Sequence, residues 1–244
     1  MPAIPKTQIV AKYDATCAKS RAMPGFLLIF DLDGTLVDSV PDLTISLNEV
    51  LREHGYPPLS VAEVKPMIGD GVPMLVQRGF AARGGTAEEA EAALPRYTAI
   101  YEANATNTSR PYPGVAATLA DLRLKGYRTA VCSNKPQRAC EIMLGELGIA
   151  GLFDGVAGGD RFPVRKPNPG HLTGLIDTLG ADPSRSAMIG DSENDAAAAL
   201  AAGLPLFLMS YGYTRGDIHA LGANRVLDRF GDLPGALAEL GLGP

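Results

Sequence analysis

Phe26-Leu27-Leu28-Ile29-Phe30, followed by Asp31-Leu32-Asp33-Gly34-Thr35, decides the fold. Five apolar residues in a row read as a strand covered on both faces. The run stops abruptly in a polar turn, where Gly34 permits a tight reversal and Thr35 is suited to open the helix that follows. Further strands are expected at 128–132, 153–157, 186–189, 206–209 and 225–227. Helical patterns at 114–125, 136–147, 170–179, 193–202 and 232–240 separate or follow them. Strands alternating with helices imply βαβ units, hence an α/β fold with a parallel sheet.

Residues 41–109 break this rhythm and read as helical throughout. Leu43, Leu47, Val50 and Leu51 recur at helical spacing, as do Val72, Leu75, Val76 and Phe80. Thr86 and Glu89 form a capping box ahead of Ala90, Leu94, Tyr97 and Tyr101. Pro95 is expected to kink or split that last helix. The segment is therefore an inserted helical domain, joined through linkers at 38–41 and 110–113 to a core made of 26–40 and 110–244. Residues 1–25 form an N-terminal extension, and Met23-Pro24-Gly25 marks a candidate biological start.

Composition excludes several classes of function. The 22 Lys and Arg against 27 Asp and Glu leave a net charge of −5, without the basic, aromatic-laced patch of a nucleic-acid binder. His54, His171 and His219, with Cys17, Cys132 and Cys140, lack zinc-ligand spacing. The scattered cysteines read as reduced thiols of a cytoplasmic protein. Residues 196–214 carry no charge, yet Gly203 and Pro205 interrupt them, so a helix, a turn and a buried strand are expected rather than a membrane span. Acid–base chemistry is left to carboxylates.

In an open parallel sheet, sites form at the carboxyl ends of the strands. Three expected strands end in reactive residues: Asp31-x-Asp33, Ser133-Asn134-Lys135, and Asp191 with Asp195 in GDSENDAAAA (190–199). Lys166 lies in the proline-flanked RKPNP (165–169). Each has a plainer reading as a turn residue, a helix cap or a surface charge. Four such elements in this order resemble the four motifs of the haloacid dehalogenase (HAD) superfamily of phosphohydrolases. Gly69-Asp70-Gly71-Val72-Pro73 through Arg78, Val131 through Pro136, Gly158-Gly159-Asp160 and Tyr211-Gly212-Tyr213 are similar to the phosphoglycolate phosphatase branch of that superfamily.

The resemblance implies a Rossmann-like core with a helical cap of C1 type, and magnesium-dependent hydrolysis of a small organic phosphate, foremost 2-phosphoglycolate. Other small phosphates such as a sugar phosphate or pyrophosphate, a phosphomutase, and a non-catalytic binding protein of the same fold are the alternatives. It makes Asp31 the nucleophile that forms an aspartyl-phosphate. Asp33 becomes the acid that protonates the leaving oxygen and then the base that activates water, with neighbouring carboxylates favouring its protonated form. Ser133 and the Asn134 backbone donate to phosphoryl oxygens, and Lys166 neutralises the transition state. The implied Mg2+ ligands are the Asp31 carboxylate, the Asp33 carbonyl and Asp191. Asp195 either binds the metal through water or orients Lys166. Asp31, Asp33, Asp191, Asp195 and Lys166 together carry −3 if ionised, which Mg2+ reduces to −1. Gly69 and Gly71 allow backbone to approach a small ligand. Arg78 either pairs with a substrate carboxylate or makes an interdomain salt bridge. No nucleic acid or membrane partner is expected, and the protein is read as a monomer or homodimer.

Overall fold

The computed structural model describes residues 25–244. The N-terminal extension and the start expected at Met23 lie outside the described residues. The fold is α/β. Six parallel strands, β1 (Leu27–Phe30), β4 (Arg128–Cys132), β5 (Gly155–Ala157), β6 (Ser186–Gly190), β7 (Leu206–Met209) and β8 (Arg225–Leu227), form one sheet in the order β5-β4-β1-β6-β7-β8. Side chains alternate along β1, so Leu27 and Ile29 join one apolar layer while Leu28 and Phe30 join the other. That is why the run is apolar throughout: both faces are covered. The strand expected at 153–157 begins only at Gly155, because Ala150–Leu152 winds into a 3-10 turn. Among the described residues, no helix is long and apolar enough to cross a membrane. Helices α5 (Val115–Leu124), α6 (Gln137–Glu146), α7 (Gly170–Thr178) and α8 (Glu193–Ala201) alternate with the strands, and the uncharged 196–214 stretch holds the end of α8, a turn and β7.

Between β1 and β4 the chain leaves the sheet through β2 (Val37–Asp38) and builds α1 (Val40–Glu53), α2 (Val61–Val64), α3 (Val72–Ala81) and α4 (Ala87–Asn104), then returns through β3 (Arg110–Pro111). The two expected linkers are thus not loose: β2 and β3 pair antiparallel, Val37 opposite Pro111 and Asp38 opposite Arg110. Ser60–Glu63 and Thr86–Glu89 capping boxes open α2 and α4. Pro95 does not split α4, which runs unbroken while Ala90, Ala93, Tyr97, Ile100 and Tyr101 bury one face. Packing against α1 and α3 carries the helix across the hydrogen bond that proline removes.

Thr35 does not open a helix either. The first helical residue is Val40, and the hydroxyl of Tyr213, from the far end of the chain, accepts from the N–H groups of Ser39 (2.9 Å) and Val40 (3.2 Å). A distant phenol takes the place of a local cap.

Asp42, in the first turn of α1, fastens the insert to its own exit. Its carboxylate accepts from the Ser109 N–H and Oγ, both at 2.7 Å, and from the Thr108 N–H and hydroxyl. Burial by itself would raise the Asp42 pKa, but these hydrogen bonds outweigh it and hold the carboxyl below its usual value. The stability it contributes is complete above the ordinary carboxylate range and disappears as pH falls through the lowered value. Asp42→Ala should therefore cost about 2 kcal/mol at neutral pH. Urea titrations of the two proteins should converge as pH falls below about 4.

Candidate active site

The register of the sheet assembles the site. Phe30 pairs with Val131 of β4 and with Ile189 of β6, so the three strands end level. Asp31, Ser133 and Asp191 follow within two residues of those ends, and the Asp31 N–H donates to the Ile189 carbonyl at 2.9 Å. The loop containing Lys166 folds over the same edge. Lys166 is 2% exposed, and its ammonium contacts Asp195 Oδ1 at 2.6 Å, the Cys132 carbonyl at 2.7 Å and Asp31 Oδ1 at 3.1 Å. Burial works against its charge, yet Asp195 and Asp31 overcome this and hold the lysine protonated.

Asp195 settles on one of its two expected roles. Oδ1 binds Lys166, while Oδ2 accepts from the N–H groups of Asp191 and Ser192 and from the Ser192 hydroxyl. It therefore caps α8 and positions the lysine. Asp191 is held as firmly: Thr35 Oγ1 donates to Oδ1 at 2.6 Å, and the Tyr213 N–H donates to Oδ2 at 2.7 Å.

Asp31, Asp191 and Asp195 are the buried carboxylate group whose oxygens lie within 4.8 Å of one another. With Lys166 they leave two negative charges uncompensated. Burial, opposed by Lys166, pushes Asp31 up to about 6. Burial and then the Asp195 and Asp31 charges drive Asp191 well above its ordinary value. Such an excess in a dry pocket calls for a cation. The chemistry of these three carboxylates suits a hard divalent metal.

A small cavity of about 40 Å³ opens beside them. The core contributes Asp31, Asp33, Ser133, Asn134 and Lys135; the insert contributes Leu43, Ile68, Val72, Leu75, Gly69 and Gly71. Asn134 Nδ2 donates to the carbonyls of Gly69 (2.9 Å) and Lys166 (2.8 Å), tying the insert's loop to the strand end. Arg78 is absent from the lining. Its guanidinium is taken by Asp70 at 2.5 Å and by the Met67 carbonyl at 2.8 Å, and Asp70 also binds Arg215 and Asn194 of the core. Of its two expected roles, the structure places it in the salt-bridge network that joins insert to core.

Two residues without a role in the sequence acquire partners in the structure. The first is Lys135, which is 5% exposed and contacts both oxygens of Asp33, at 2.9 and 2.8 Å. Neighbouring carboxylates were expected to press on Asp33, but a lysine grips it. Counting Lys135, the site lacks two positive charges rather than three. Its place beside Ser133-Asn134 at a strand end was the available signal. The second is Gly212: a Cβ there would lie 2.2 Å from the Asp191 Cβ and 2.4 Å from Oδ2.

A family model described as haloacid dehalogenase-like hydrolase matches residues 27–203. The chain belongs to the haloacid dehalogenase-like hydrolases. It is 44% identical over 212 residues to the phosphoglycolate phosphatase of Rhodospirillum rubrum, covering 84% of this chain and 88% of the relative. It is 41% identical over 218 residues to the phosphoglycolate phosphatase of Caulobacter vibrioides, covering 88% and 92%. A crystal structure from Haemophilus somnus 129PT, described as a predicted phosphoglycolate phosphatase, superposes with a TM-score of 0.82 at 34% identity, over 86% of this chain and 97% of that one. With relatives of this identity over most of its length, the chain is a phosphoric monoester hydrolase.

Gly212→Ala should displace the Asp191 carboxylate in this hydrolase. Turnover of a phosphate monoester is expected to fall about a hundredfold, and the half-saturating concentration of divalent metal to rise. Far-UV circular dichroism should remain that of the wild type.

Proposed function

We propose that this hydrolase cleaves 2-phosphoglycolate to glycolate and phosphate, with Mg2+ as its metal. The observation that carries this reading is the shared name of relatives at 41–44% identity over most of their length, joined to a cavity whose polar end carries Asp31 and Asp33. The Asp31 and Asp191 carboxylates and the Asp33 backbone carbonyl would hold Mg2+. Bound there, it supplies charge neutralisation for an incoming phosphate dianion.

Asp31 attacks phosphorus in line and forms an aspartyl-phosphate, dividing one difficult step into two. Asp33 gives a proton to the leaving oxygen of glycolate, then removes one from the water that hydrolyses the intermediate. Ser133 and the Asn134 N–H donate to the phosphoryl oxygens. Lys166, fixed by Asp195, meets charge as it accumulates on them. Gly69 and Gly71 bring backbone, not side chain, against the substrate. Arg78 contributes by holding Asp70 and so the loop that carries both glycines.

In this reading residues 41–109 are a cap over a core of 26–40 and 110–244. Movement about the paired linkers admits substrate and then excludes water. The reaction is assigned to the cytoplasm, in keeping with the free thiols of Cys132 and Cys140.

A panel of small phosphate esters tests the assignment. In Mg2+, 2-phosphoglycolate should show the highest kcat/KM, and EDTA should abolish its turnover. Asp31→Asn should lower kcat by at least about four orders of magnitude. A sugar phosphate or pyrophosphate with the higher kcat/KM overturns the substrate; activity persisting in Asp31→Asn overturns the mechanism.

A further inference from the structure

The proposed substrate carries two anionic groups, and none of the charged side chains assigned above serves its carboxylate. The carboxylate also needs a partner, because a charge brought among buried groups is costly unless paired. The insert supplies none: the side chains it places on the cavity wall are Leu43, Ile68, Val72 and Leu75, with Gly69 and Gly71 adding backbone.

The nearby cations can be taken in turn. Lys166 has three N–H groups, and Asp195, Asp31 and the Cys132 carbonyl occupy three directions around it. Arg78 is held by Asp70 and Met67. Arg215 is held by Asp70 and by the Pro66 and Ile68 carbonyls. Arg165 is exposed, and although its guanidinium comes close to Gly71 it does not line the cavity. Among the described residues, the cation that lines the cavity is Lys135.

Its position suits the task. Two contacts go to Asp33, and the ammonium also sits 4.6 Å from the centre of the Tyr101 ring, which favours a cation without consuming its charge. On the proposed mechanism, Asp33 faces the leaving oxygen of the substrate. In 2-phosphoglycolate the carboxylate carbon is bonded to the carbon that bears this oxygen. A group in hydrogen-bond contact with Asp33 is therefore placed beside the carboxylate.

We infer that Lys135 is the residue that selects a carboxylate-bearing substrate, shifting one N–H contact from Asp33 to the substrate carboxylate on binding. This rests on the proposed function and extends it: recognition comes from the core strand end, and the insert supplies an uncharged wall.

The experiment compares 2-phosphoglycolate with 2-hydroxyethyl phosphate, in which a CH2OH group replaces the carboxylate. For each protein the readout is the ratio of the two kcat/KM values. Lys135→Met should lower that ratio about a hundredfold, with most of the change in KM for 2-phosphoglycolate. Lys135→Arg, which keeps the charge, should recover a substantial part of it. If Lys135→Met does not fold, Lys135→Gln, which can still donate to Asp33, should show the same fall. Equal losses on both substrates would overturn the inference, since Lys135 would then act only through Asp33. Failure of the underlying function would look different: the wild type itself would not prefer 2-phosphoglycolate.

Discussion

The burial of Lys166 among carboxylates is the constraint to which the rest of the site answers. A fully buried ammonium is sustainable only with anionic partners in direct contact, and Asp195 and Asp31 supply them. The same contacts restrain Asp195, which in turn caps α8 and receives the N–H of Asp191. One lysine thus connects the ends of β1 and β6, the loop of 165–169 and the start of a helix. Because it neutralises only one of three buried acids, the cluster keeps an excess of negative charge that suits a cation.

The insert depends on this edge as well. It leaves and re-enters through the short β2–β3 ladder, and Asp42 clasps its first helix to the exit at Thr108 and Ser109. Its loop at 69–71 is tied down by Asn134 and Asn194, while Asp70 gathers Arg78 from the insert and Arg215 from the core. The polar groups that join the two parts lie around the cavity, leaving the insert's inner wall apolar. The apolar wall and the anchoring of the insert are accordingly supplied by different residues of neighbouring segments.

A third set of contacts comes from Tyr211-Gly212-Tyr213. Tyr213 fixes Asp191 through its N–H and caps α1 through its hydroxyl, and Gly212 lets the backbone pass against the Asp191 side chain. The Asp191 carboxylate and the entrance to the insert are thereby set by one turn after β7.

Much of this is legible in the sequence. The apolar runs marked the strands, and β4, β7 and β8 fall on their expected bounds, because period and turn chemistry are local properties of the chain. The reactive residues at strand ends were legible for the same reason: a parallel sheet places successive carboxyl ends along one edge. Partnership was not. Thr35 reads as a cap and is a donor to Asp191; Pro95 reads as a kink or a split and lies in a helix that is not split. Arg78 had two candidate partners, and Lys135, 102 residues from Asp33, had no assigned role. By itself the sequence determined which residues carry charge and on which strand end each stands. Only the tertiary structure decided which charge meets which, because the distances that govern Coulombic and hydrogen-bond energies are distances in space, set by packing between segments far apart in the chain.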